Sequence, residues 1–335
     1  MVEKRTVFIL GAGASCPYGF PTAKGLRGKI VGEFVAAYEH LLNEREKLGV
    51  AGINDGYPSP AEAKCFVGCF DVSSTESIDL FLSRHPQFEK IGKIAIALTI
   101  LNAEHSSQFR ERAKVNEDWY FHLFNRLTRE LAGRDGYQGF GNSDVAFVTF
   151  NYDRSLEYFL FSSLLHAFEG ADPLKIEEQI LRVPIIHVYG RVAPVRLHDS
   201  GEQRLAEYGL KYGREIDRFS MVNFLNVIDY LYVVREERAN PELEKARGQI
   251  AQAERLFFLG FGYARENLAA LAIPGVLSPK QHIHGTAMGY VPAEIQKIEN
   301  ALGQALGAGK KDGSNLIYQV HIRPCDCLGL LRESL

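Results

Sequence analysis

The feature that most constrains the fold is the start of the chain, where an apolar run leads directly into a glycine-rich turn. The run Arg5–Leu10 is rich in β-branched and aromatic residues, which indicates a buried strand. Gly11 and Gly13 follow at once. Glycines just past a strand let backbone amides approach a phosphate without a Cβ in the way. The turn therefore predicts a nucleotide-type ligand, and a tight strand-to-helix turn without a ligand stays open as the alternative.

The residues after the turn do not form an ordinary dinucleotide fingerprint. That fingerprint has a third glycine that opens a helix, and a second strand that ends in an acidic residue roughly 20 positions later. Here Cys16 occupies the third glycine position, and Pro17 and Pro21 prevent an immediate helix. The next periodic segment, Leu26–Leu48, has helical spacing. The turn is therefore expected to continue as an ordered loop.

Farther along, strand-like and helix-like segments alternate, as in a parallel sheet that is covered on both faces. The candidate strands are Thr6–Leu10, Val145–Phe150, Val183–Val188, Arg255–Leu259, Gln281–Gly285 and Leu316–Val320. The candidate helices are Thr75–Leu82, Phe88–Leu101, Glu117–Leu131, Arg154–Phe168, Pro241–Glu254 and Pro292–Leu306. About 130 residues separate the first two strands, far more than a simple crossover needs.

These patterns predict an α/β fold, a Rossmann-like parallel sheet with helices on both faces and an inserted helical module. The predicted domain is a single one over residues 1–335. Its core comprises residues 1–30 and 140–335, and the helical insertion covers about residues 31–139.

The composition excludes several classes of protein. The chain has 335 residues, of which 46% are hydrophobic and 24% charged, and its net charge is -3, so nucleic acid and anionic membranes are not indicated as partners. No apolar run reaches the ~18 residues of a membrane-spanning helix, and the start lacks a signal-peptide pattern. The five cysteines are an odd number, without the density of a disulfide scaffold. We therefore expect a cytoplasmic protein with reduced thiols.

Polar residues and glycines follow four more of the predicted strands. In open parallel sheets, ligands bind beyond the carboxyl ends of the strands, so these residues are expected to converge on one site. The segments are Phe150–Asp153, His187–Gly190, Gly260–Tyr263 and Gly285–Ala287.

Taken in sequence order, these motifs resemble the SIR2-like family. The motifs are Gly11–Ser15 with Gly19–Pro21, Thr149–Asp153, His187–Gly190 and Gly260–Gly262. The chain looks more similar to the bacterial SIR2-like NAD hydrolases of anti-phage defence than to the deacetylase sirtuins. The resemblance extends from residue 5 to about residue 330.

The resemblance implies that NAD+ is a substrate whose nicotinamide–ribose bond is cleaved. It assigns catalysis to Asn151, Asp153 and His187. It assigns nucleotide binding to Gly11, Ala12, Gly13, Ser15, Phe20, Pro21, Tyr189, Gly190, Gly260, Gly262 and Thr286. It also suggests an effector of defence by NAD depletion, which is a homo-oligomer controlled by a separately encoded regulatory protein such as a sensor or an ATPase.

The chain departs from the deacetylase sirtuins in two ways. Their two zinc-binding C-x-x-C pairs are missing, because residues 190–255 contain no cysteine, so no metal is expected. Tyr189 stands directly before Gly190, where sirtuins have the catalytic histidine, and His187 lies two residues upstream. Residues two apart in a strand point to the same face. His187 is favoured, because an imidazole titrates near neutral pH, and Tyr189 stays open as the alternative.

Structural explanations also stay open for the predicted catalytic residues. Asn151 and Asp153 precede a predicted helix and are residue types that cap helices. His187 ends an apolar run, where a buried histidine with satisfied hydrogen bonds is common. The alternative functions are an NAD-dependent protein deacylase, an ADP-ribosyltransferase, and a catalytically silent sensor of NAD or ADP-ribose.

Overall fold

The fold is built on a six-stranded parallel sheet. It was obtained as a computed structural model, which describes residues 4–50, 56–105, 118–133, 135–196, 210–213, 224–233, 240–305 and 319–335. The strands are β1 (Thr6–Leu10), β2 (Val145–Thr149), β3 (Ile185–His187), β4 (Val195–Arg196), β5 (Leu210–Lys211), β6 (Arg255–Leu259), β7 (His282–Thr286) and β8 (Val320–Arg323). The order in the sheet is β3-β2-β1-β6-β7-β8, and the short strands β4 and β5 pair separately.

This order places two halves of the sheet side by side. The chain runs outward from β1 through β2 to β3 on one side, and from β6 through β7 to β8 on the other. The strand order therefore reverses between β1 and β6, and parallel sheets bind ligands at such a switch point, beyond the carboxyl ends of the strands. The predicted α/β fold with a parallel sheet is confirmed.

Most strand predictions agree with the structure to within a few residues. β1 and β6 have the predicted bounds, β3 is shorter than predicted, and β7 lies one residue later. The last strand differs most, because β8 begins at Val320, where the predicted strand ends. In β8 the buried residues Val320 and Ile322 alternate with the partly exposed His321. Positions 316–318 of that prediction lie outside the described residues.

Helices fill the long connection and cover the sheet. Between β1 and β2 lie α1 (Ala23–Lys47), α2 (Pro60–Val72), α3 (Ile78–Arg84), α4 (Glu89–His105) and α5 (Trp119–Thr128). Later come α6 (Ser155–Ala167), α7 (Pro173–Arg182), α8 (Phe224–Ile228), α9 (Pro241–Gln252), α10 (Arg265–Ala270), α11 (Pro292–Ala305) and α12 (Cys327–Ser334). Among the described helices, none combines the length and the apolar character needed to span a bilayer. The division into a core and a helical insertion stays a prediction.

An aromatic row crosses five strands on one face of the sheet. Phe8 of β1 stacks on Phe147 of β2 and on Phe257 of β6, each with ring centroids 5.3 Å apart. The row continues from Phe257 to His284 at 4.9 Å and from His284 to His321 at 5.5 Å. The register of the parallel pairs places these residues directly beside one another. These stacked rings therefore form continuous contacts between the two halves of the sheet, below the switch point.

His284 is expected to make the protein less stable in mild acid. Burial, followed by nearby Arg255, lowers the pKa of His284 from 6.5 to about 4. The folded state therefore takes up this proton later than the unfolded chain does, so stability is lost as the pH falls from about 6.5 towards 4. We expect a loss of about 1–2 kcal/mol, measured by urea unfolding across this range.

The variant His284→Phe keeps a ring in the aromatic row and removes the titrating group. It should flatten the dependence of stability on pH. His166→Phe, which replaces an exposed histidine of α6, should keep the wild-type dependence. An unchanged slope in His284→Phe would contradict the assignment.

Candidate functional site

At the switch point, the glycine loop after β1 packs directly against the turn after β6. The Gly11 amide donates to the Leu259 carbonyl and the Gly13 amide to the Gly260 carbonyl, each at 3.0 Å. A Cβ on Gly11 would lie 2.5 Å from the Gly260 carbonyl oxygen, and one on Gly13 would lie 2.9 Å from it. Glycine is therefore required here for the close approach of two backbones. These two amides bond within the protein rather than pointing to a phosphate.

Thr286 supports the turn after β6. Its hydroxyl accepts a hydrogen bond from the Gly260 amide at 2.8 Å and donates to the Phe258 carbonyl at 3.4 Å. Gly260 has a φ of +56°, in the left-handed region that favours glycine. Gly262 differs, because a Cβ there would meet no atom within 4 Å. Of these three predicted nucleotide-binding residues, Gly260 and Thr286 shape the turn and Gly262 faces open space.

The remaining predicted residues of the glycine loop lie along its course into α1. The Ala12 carbonyl accepts from the Ser15 amide at 3.3 Å, and the Phe20 amide donates to the Ser15 carbonyl at 3.4 Å. The Phe20 side chain is buried. Pro21 directly precedes Thr22, whose hydroxyl caps α1 by accepting from the Gly25 amide at 3.1 Å. The loop is therefore ordered, as the sequence predicts.

Helix α5 of the long connection holds the glycine loop from the other side. The indole Nε1 of Trp119 donates to the Ala14 carbonyl at 2.8 Å, and the Tyr120 amide donates to the hydroxyl of Tyr18 at 3.1 Å. The rings of Tyr18 and Tyr120 stack with centroids 4.1 Å apart. The Tyr120 hydroxyl bonds to the Ser155 hydroxyl at 2.8 Å. The helical connection therefore forms part of the site.

Loss of the indole hydrogen bond is expected to destabilise the glycine loop. In Trp119→Phe the buried Ala14 carbonyl loses the donor that now lies 2.8 Å away, and an unsatisfied buried carbonyl costs about 1–2 kcal/mol. Urea unfolding measures the difference. Phe121→Leu, at an exposed position of the same helix, is the control and should stay close to wild type. Equal stability of the two variants would contradict this role of the indole.

Asn151 bonds to the glycine loop and keeps one polar atom without a partner. Its Nδ2 donates to the Gly11 carbonyl at 3.1 Å and to the Ser15 hydroxyl at 3.0 Å. A carbonyl only accepts, so these bonds fix the orientation of the amide. Oδ1 is buried and has no hydrogen-bond partner. The side chain therefore does not cap α6, and its buried Oδ1 is an unused acceptor.

Asp153 lies two residues before α6 and joins the same hydrogen-bond network. Its Oδ1 accepts from the amide of Ser155, the first residue of the helix, at 3.1 Å and from the Ser155 hydroxyl, while Arg154 occupies the N-cap position. A hydrogen bond from Ser15 also reaches this carboxyl group. Burial raises the pKa of Asp153, and the hydrogen bonds from Ser155 and Ser15 oppose that rise. Ser15 thus connects the Asn151 amide to the Asp153 carboxyl group.

Both ring nitrogens of His187 have partners. Nδ1 lies 2.9 Å from the Asn151 carbonyl oxygen, and Nε2 lies 3.0 Å from Oε1 of Glu157. The carbonyl and the carboxylate are both acceptors, so a ring that satisfies them carries a hydrogen on each nitrogen. Asn151, Asp153 and His187 are 9%, 6% and 5% exposed. The structure brings the three predicted catalytic residues together, but it leaves neither His187 nitrogen free to accept a proton.

Glu157 carries the negative charge of this cluster. Its Oε1 also accepts from Nη1 of Arg191 at 2.9 Å. Burial alone would raise the pKa of Glu157, but the charges and hydrogen bonds of His187 and Arg191 outweigh it and lower the pKa to about 2. Glu157 is therefore a carboxylate at neutral pH.

Tyr189 belongs to a different group of contacts from His187. Its hydroxyl donates to Oδ1 of Asn267 at 2.7 Å, and its ring meets Phe150 edge to face at 5.2 Å. Burial, then the nearby carboxylates Asp79 and Glu266, raises the pKa of Tyr189 well above its usual range. The phenol is therefore neutral and links the segment after β3 to α10.

Gly190, which follows Tyr189, allows the segment that contains Tyr230 to pass close to its backbone. Its φ is +76°, and a Cβ there would lie 1.9 Å from the Tyr230 carbonyl oxygen. The amides of Arg191 and Tyr232 bond across this contact, to the carbonyls of Tyr230 and Tyr189, at 3.1 and 2.9 Å. The structure thus gives Gly190 a packing role.

Two carboxyl groups of the site, those of the buried Glu157 and the partly buried Asp79, were missed by the sequence analysis. Glu157 stands four residues after Asp153, which is the spacing of neighbours on one helix face and the one pattern that could have pointed to it. Asp79 lies in the first turn of α3 and accepts from the hydroxyls of Tyr152 and Ser77, the latter at 3.2 Å. Burial raises the pKa of Asp79. No pattern in the sequence links Asp79 to a tyrosine so far along the chain.

Two cavities lie away from the switch point. A cavity of about 110 Å³ lies between α1 and α4, beside Gly19, and a groove of about 500 Å³ lies between α4 and α8. In the ranges that the structure describes, no group of three or more His, Cys, Asp or Glu side chains is arranged to hold a metal ion. The case for a site at the switch point therefore depends on the buried polar network.

Comparisons with known proteins do not assign the chain to a family. No protein-family model matches the chain, and a search of curated proteins gives no match. Among solved structures, the chain is similar to a crystal structure of Sir2 in complex with the inhibitor EX-527, 2'-O-acetyl-ADP-ribose and a deacetylated p53 peptide. The match has 11% identity and a TM-score of 0.32, and it covers 99% of this chain and 93% of that one. At these values the likeness carries no argument about function.

Proposed function

We propose that this protein is an NAD+ hydrolase that cleaves the nicotinamide–ribose bond and releases nicotinamide and ADP-ribose. The observation that carries the proposal is the buried, unpartnered Oδ1 of Asn151 at the switch point of the sheet. A buried acceptor without a partner is costly unless a ligand satisfies it. The order of the strand-end motifs, which resembles that of SIR2-like NAD hydrolases, supports the choice of ligand.

The reaction requires that the ribose and the attacking water be held in position, more than it requires proton transfer to the leaving group. The C–N bond to the ribose breaks, nicotinamide leaves as a neutral molecule with the bonding electron pair, and the ribose becomes oxocarbenium-like. Water then adds to the sugar, and its proton passes to solvent. In this scheme Asn151 Oδ1 accepts a hydrogen bond from a ribose hydroxyl or from the attacking water. Holding the reacting groups in place can supply much of the rate.

Asp153 and Ser15 would stabilise the sugar cation. The Asp153 carboxyl group is one hydroxyl away from the Asn151 amide, through Ser15. Its oxygen atoms, which accept hydrogen bonds from Ser15 and Ser155, would lie near the positive charge that develops on the ribose. His187 as a general base would first have to release Nε2 from Glu157, so the arrangement favours a positioning role for this ring.

Nicotinamide release is the direct test. The purified protein is mixed with NAD+, and nicotinamide and ADP-ribose are measured by chromatography. Equal amounts of both products would support the proposal. The appearance of O-acyl-ADP-ribose with an acylated peptide would favour deacylation instead, and labelled ADP-ribose on protein would favour transfer. Neither turnover nor binding of NAD+, measured by calorimetry, would overturn the proposal.

A silent sensor is the second candidate, and the occupied ring of His187 favours it. With both nitrogens bonded, the site in this arrangement holds no free base. Tight binding of NAD+ or ADP-ribose without release of nicotinamide would distinguish the sensor from the hydrolase.

We further propose that the activity serves anti-phage defence by NAD depletion, and that it is regulated. An unregulated NAD+ hydrolase would deplete the nucleotide of its own cell. Control would come from homo-oligomerisation or from a separately encoded regulatory protein. Size-exclusion chromatography with parallel turnover assays tests this, and a monomer with full activity in the absence of any trigger would contradict it.

A further inference from the structure

We propose that Glu157 is a positioning residue of this site and that it acts on Asn151 through His187. The inference rests on the proposed function, since it assigns a role in NAD+ cleavage. It concerns a residue of α6 that has no place in the strand-end motifs, and it depends on a continuous set of buried hydrogen bonds.

The set runs from Arg191 to the Asn151 backbone. Arg191 Nη1 and His187 Nε2 both bond to the same oxygen of Glu157, at 2.9 and 3.0 Å. His187 Nδ1 then bonds to the Asn151 carbonyl at 2.9 Å. Glu157 and His187 are both nine-tenths or more buried. The carbonyl that the ring holds belongs to the residue whose Oδ1 is offered to the substrate.

The charge of Glu157 holds the His187 ring in its orientation. The ring bonds to the Asn151 carbonyl through Nδ1 and to the Glu157 carboxylate through Nε2. A hydrogen bond to a charged group is stronger than one between neutral groups. A neutral group in place of the carboxylate therefore weakens the contact at Nε2, and the ring can then turn away from the Asn151 carbonyl.

Other charged and titratable groups also face this cluster. Asp153 interacts electrostatically with His187, and both Arg154 and Tyr120 interact with Glu157. Arg191 bonds directly to Glu157. Among these groups, Glu157 is the one that contacts a ring nitrogen of His187. Its removal should therefore change the ring more than changes at the other positions.

A helix-dipole role would not require this geometry. An acidic residue in the first turn of a helix is favourable at the surface, without burial and without a histidine partner. Glu157 is instead buried between His187 and Arg191, while its second oxygen, Oε2, has no partner. The burial and the shared oxygen point to a function in holding His187.

Glu157→Gln tests the charge while keeping the shape of the side chain. We expect kcat for nicotinamide release to fall about 10–100-fold with KM changed less than about 3-fold, because a small displacement of a reacting group has effects of this size. A merely structural role would lower stability without this separation of kcat from KM.

Glu104→Gln is the matched control. Glu104 is also a buried carboxylate, and it pairs with Arg154 through bonds of 2.9 and 2.6 Å. Its replacement should lower stability, since it leaves a buried charge without its partner, but kcat should stay within about 3-fold of wild type. Equal losses of kcat in both variants would overturn the assignment to Glu157.

The ring nitrogens of His187 give a readout that needs no activity. Long-range proton–nitrogen NMR on protein with isotope-labelled histidine reports their resonances, and the His187 signals are those lost in His187→Gln. We expect the Nε2 resonance to change in Glu157→Gln, because the carboxylate contacts that nitrogen. Unchanged His187 resonances would overturn the inference, and Glu157→Asp, with its shorter carboxylate, gives the same comparison if the glutamine variant fails to fold. If the wild type releases no nicotinamide, the proposed function fails, and the NMR result still decides whether Glu157 positions His187.

Discussion

Asn151→Ala is expected to lower the rate of nicotinamide release by about 10²–10³-fold, the range measured when one preorganised hydrogen-bonding group is removed from an active site. The variant lacks Oδ1, the buried acceptor that the protein itself leaves without a partner. It also loses the bonds from Nδ2 to Gly11 and Ser15, which costs some stability. Turnover should therefore be measured at a temperature at which circular dichroism shows the variant to be folded.

Asn125→Ala is the matched control for this experiment. Asn125 lies on the exposed side of α5 and donates to the Phe121 carbonyl of its own helix at 2.8 Å. The same substitution there should leave turnover within about 2-fold of wild type, because surface changes far from a site have small effects. Asn151→Ala with wild-type turnover would remove Asn151 from the chemistry.

Gly260→Ala is expected to destabilise the protein by about 3–5 kcal/mol, since it combines backbone strain with a clash between main chains. Gly260 has a φ of +56°, and its Cβ would lie 2.1 Å from the Ala14 amide nitrogen and 2.3 Å from the Gly13 carbonyl carbon. Neither neighbour is the end of a flexible side chain. The glycine loop and the turn after β6 would have to separate.

Gly262→Ala, two residues later, provides the comparison. A Cβ at Gly262 meets no atom within 4 Å, so stability should change by less than about 0.5 kcal/mol. Urea unfolding of both variants gives the difference directly. Equal stabilities would show that the close contact at Gly260 does not constrain the fold. A loss of NAD+ binding in Gly262→Ala without a loss of stability would support a ligand at this turn.

The sequence predicted the sheet well, because buried parallel strands are continuous apolar runs that stand out from their surroundings. β1 and β6 were located to the residue for this reason. β8 was placed too early, since its buried residues Val320 and Ile322 alternate with polar neighbours and give a weaker pattern than the apolar run before it. α7 was missed, although its Asp172 cap and Pro173 are typical helix-start residues.

The candidate site was only partly predictable. That Asn151, Asp153 and His187 lie together follows from the topology, because the carboxyl ends of neighbouring parallel strands meet at one edge. The topology does not determine which of these groups form hydrogen bonds with each other. Gly11 and Gly13 were expected to offer amides to a phosphate, and the close packing against Gly260 that uses these amides depends on a strand about 250 residues away.

The bonds from Trp119 and Tyr120 to the glycine loop mean that two separate parts of the chain form the proposed ligand site. The sheet supplies one wall, and a helix from the long connection supplies the other. A change in α5 that leaves every strand-end motif intact should therefore alter nucleotide affinity or turnover. Conversely, a nucleotide that displaces the glycine loop would also displace α5, and with it any protein bound to the outer face of α5. Changes in the helical connection would then adjust the proposed activity, while the strand-end residues that we propose for the chemistry stay constant.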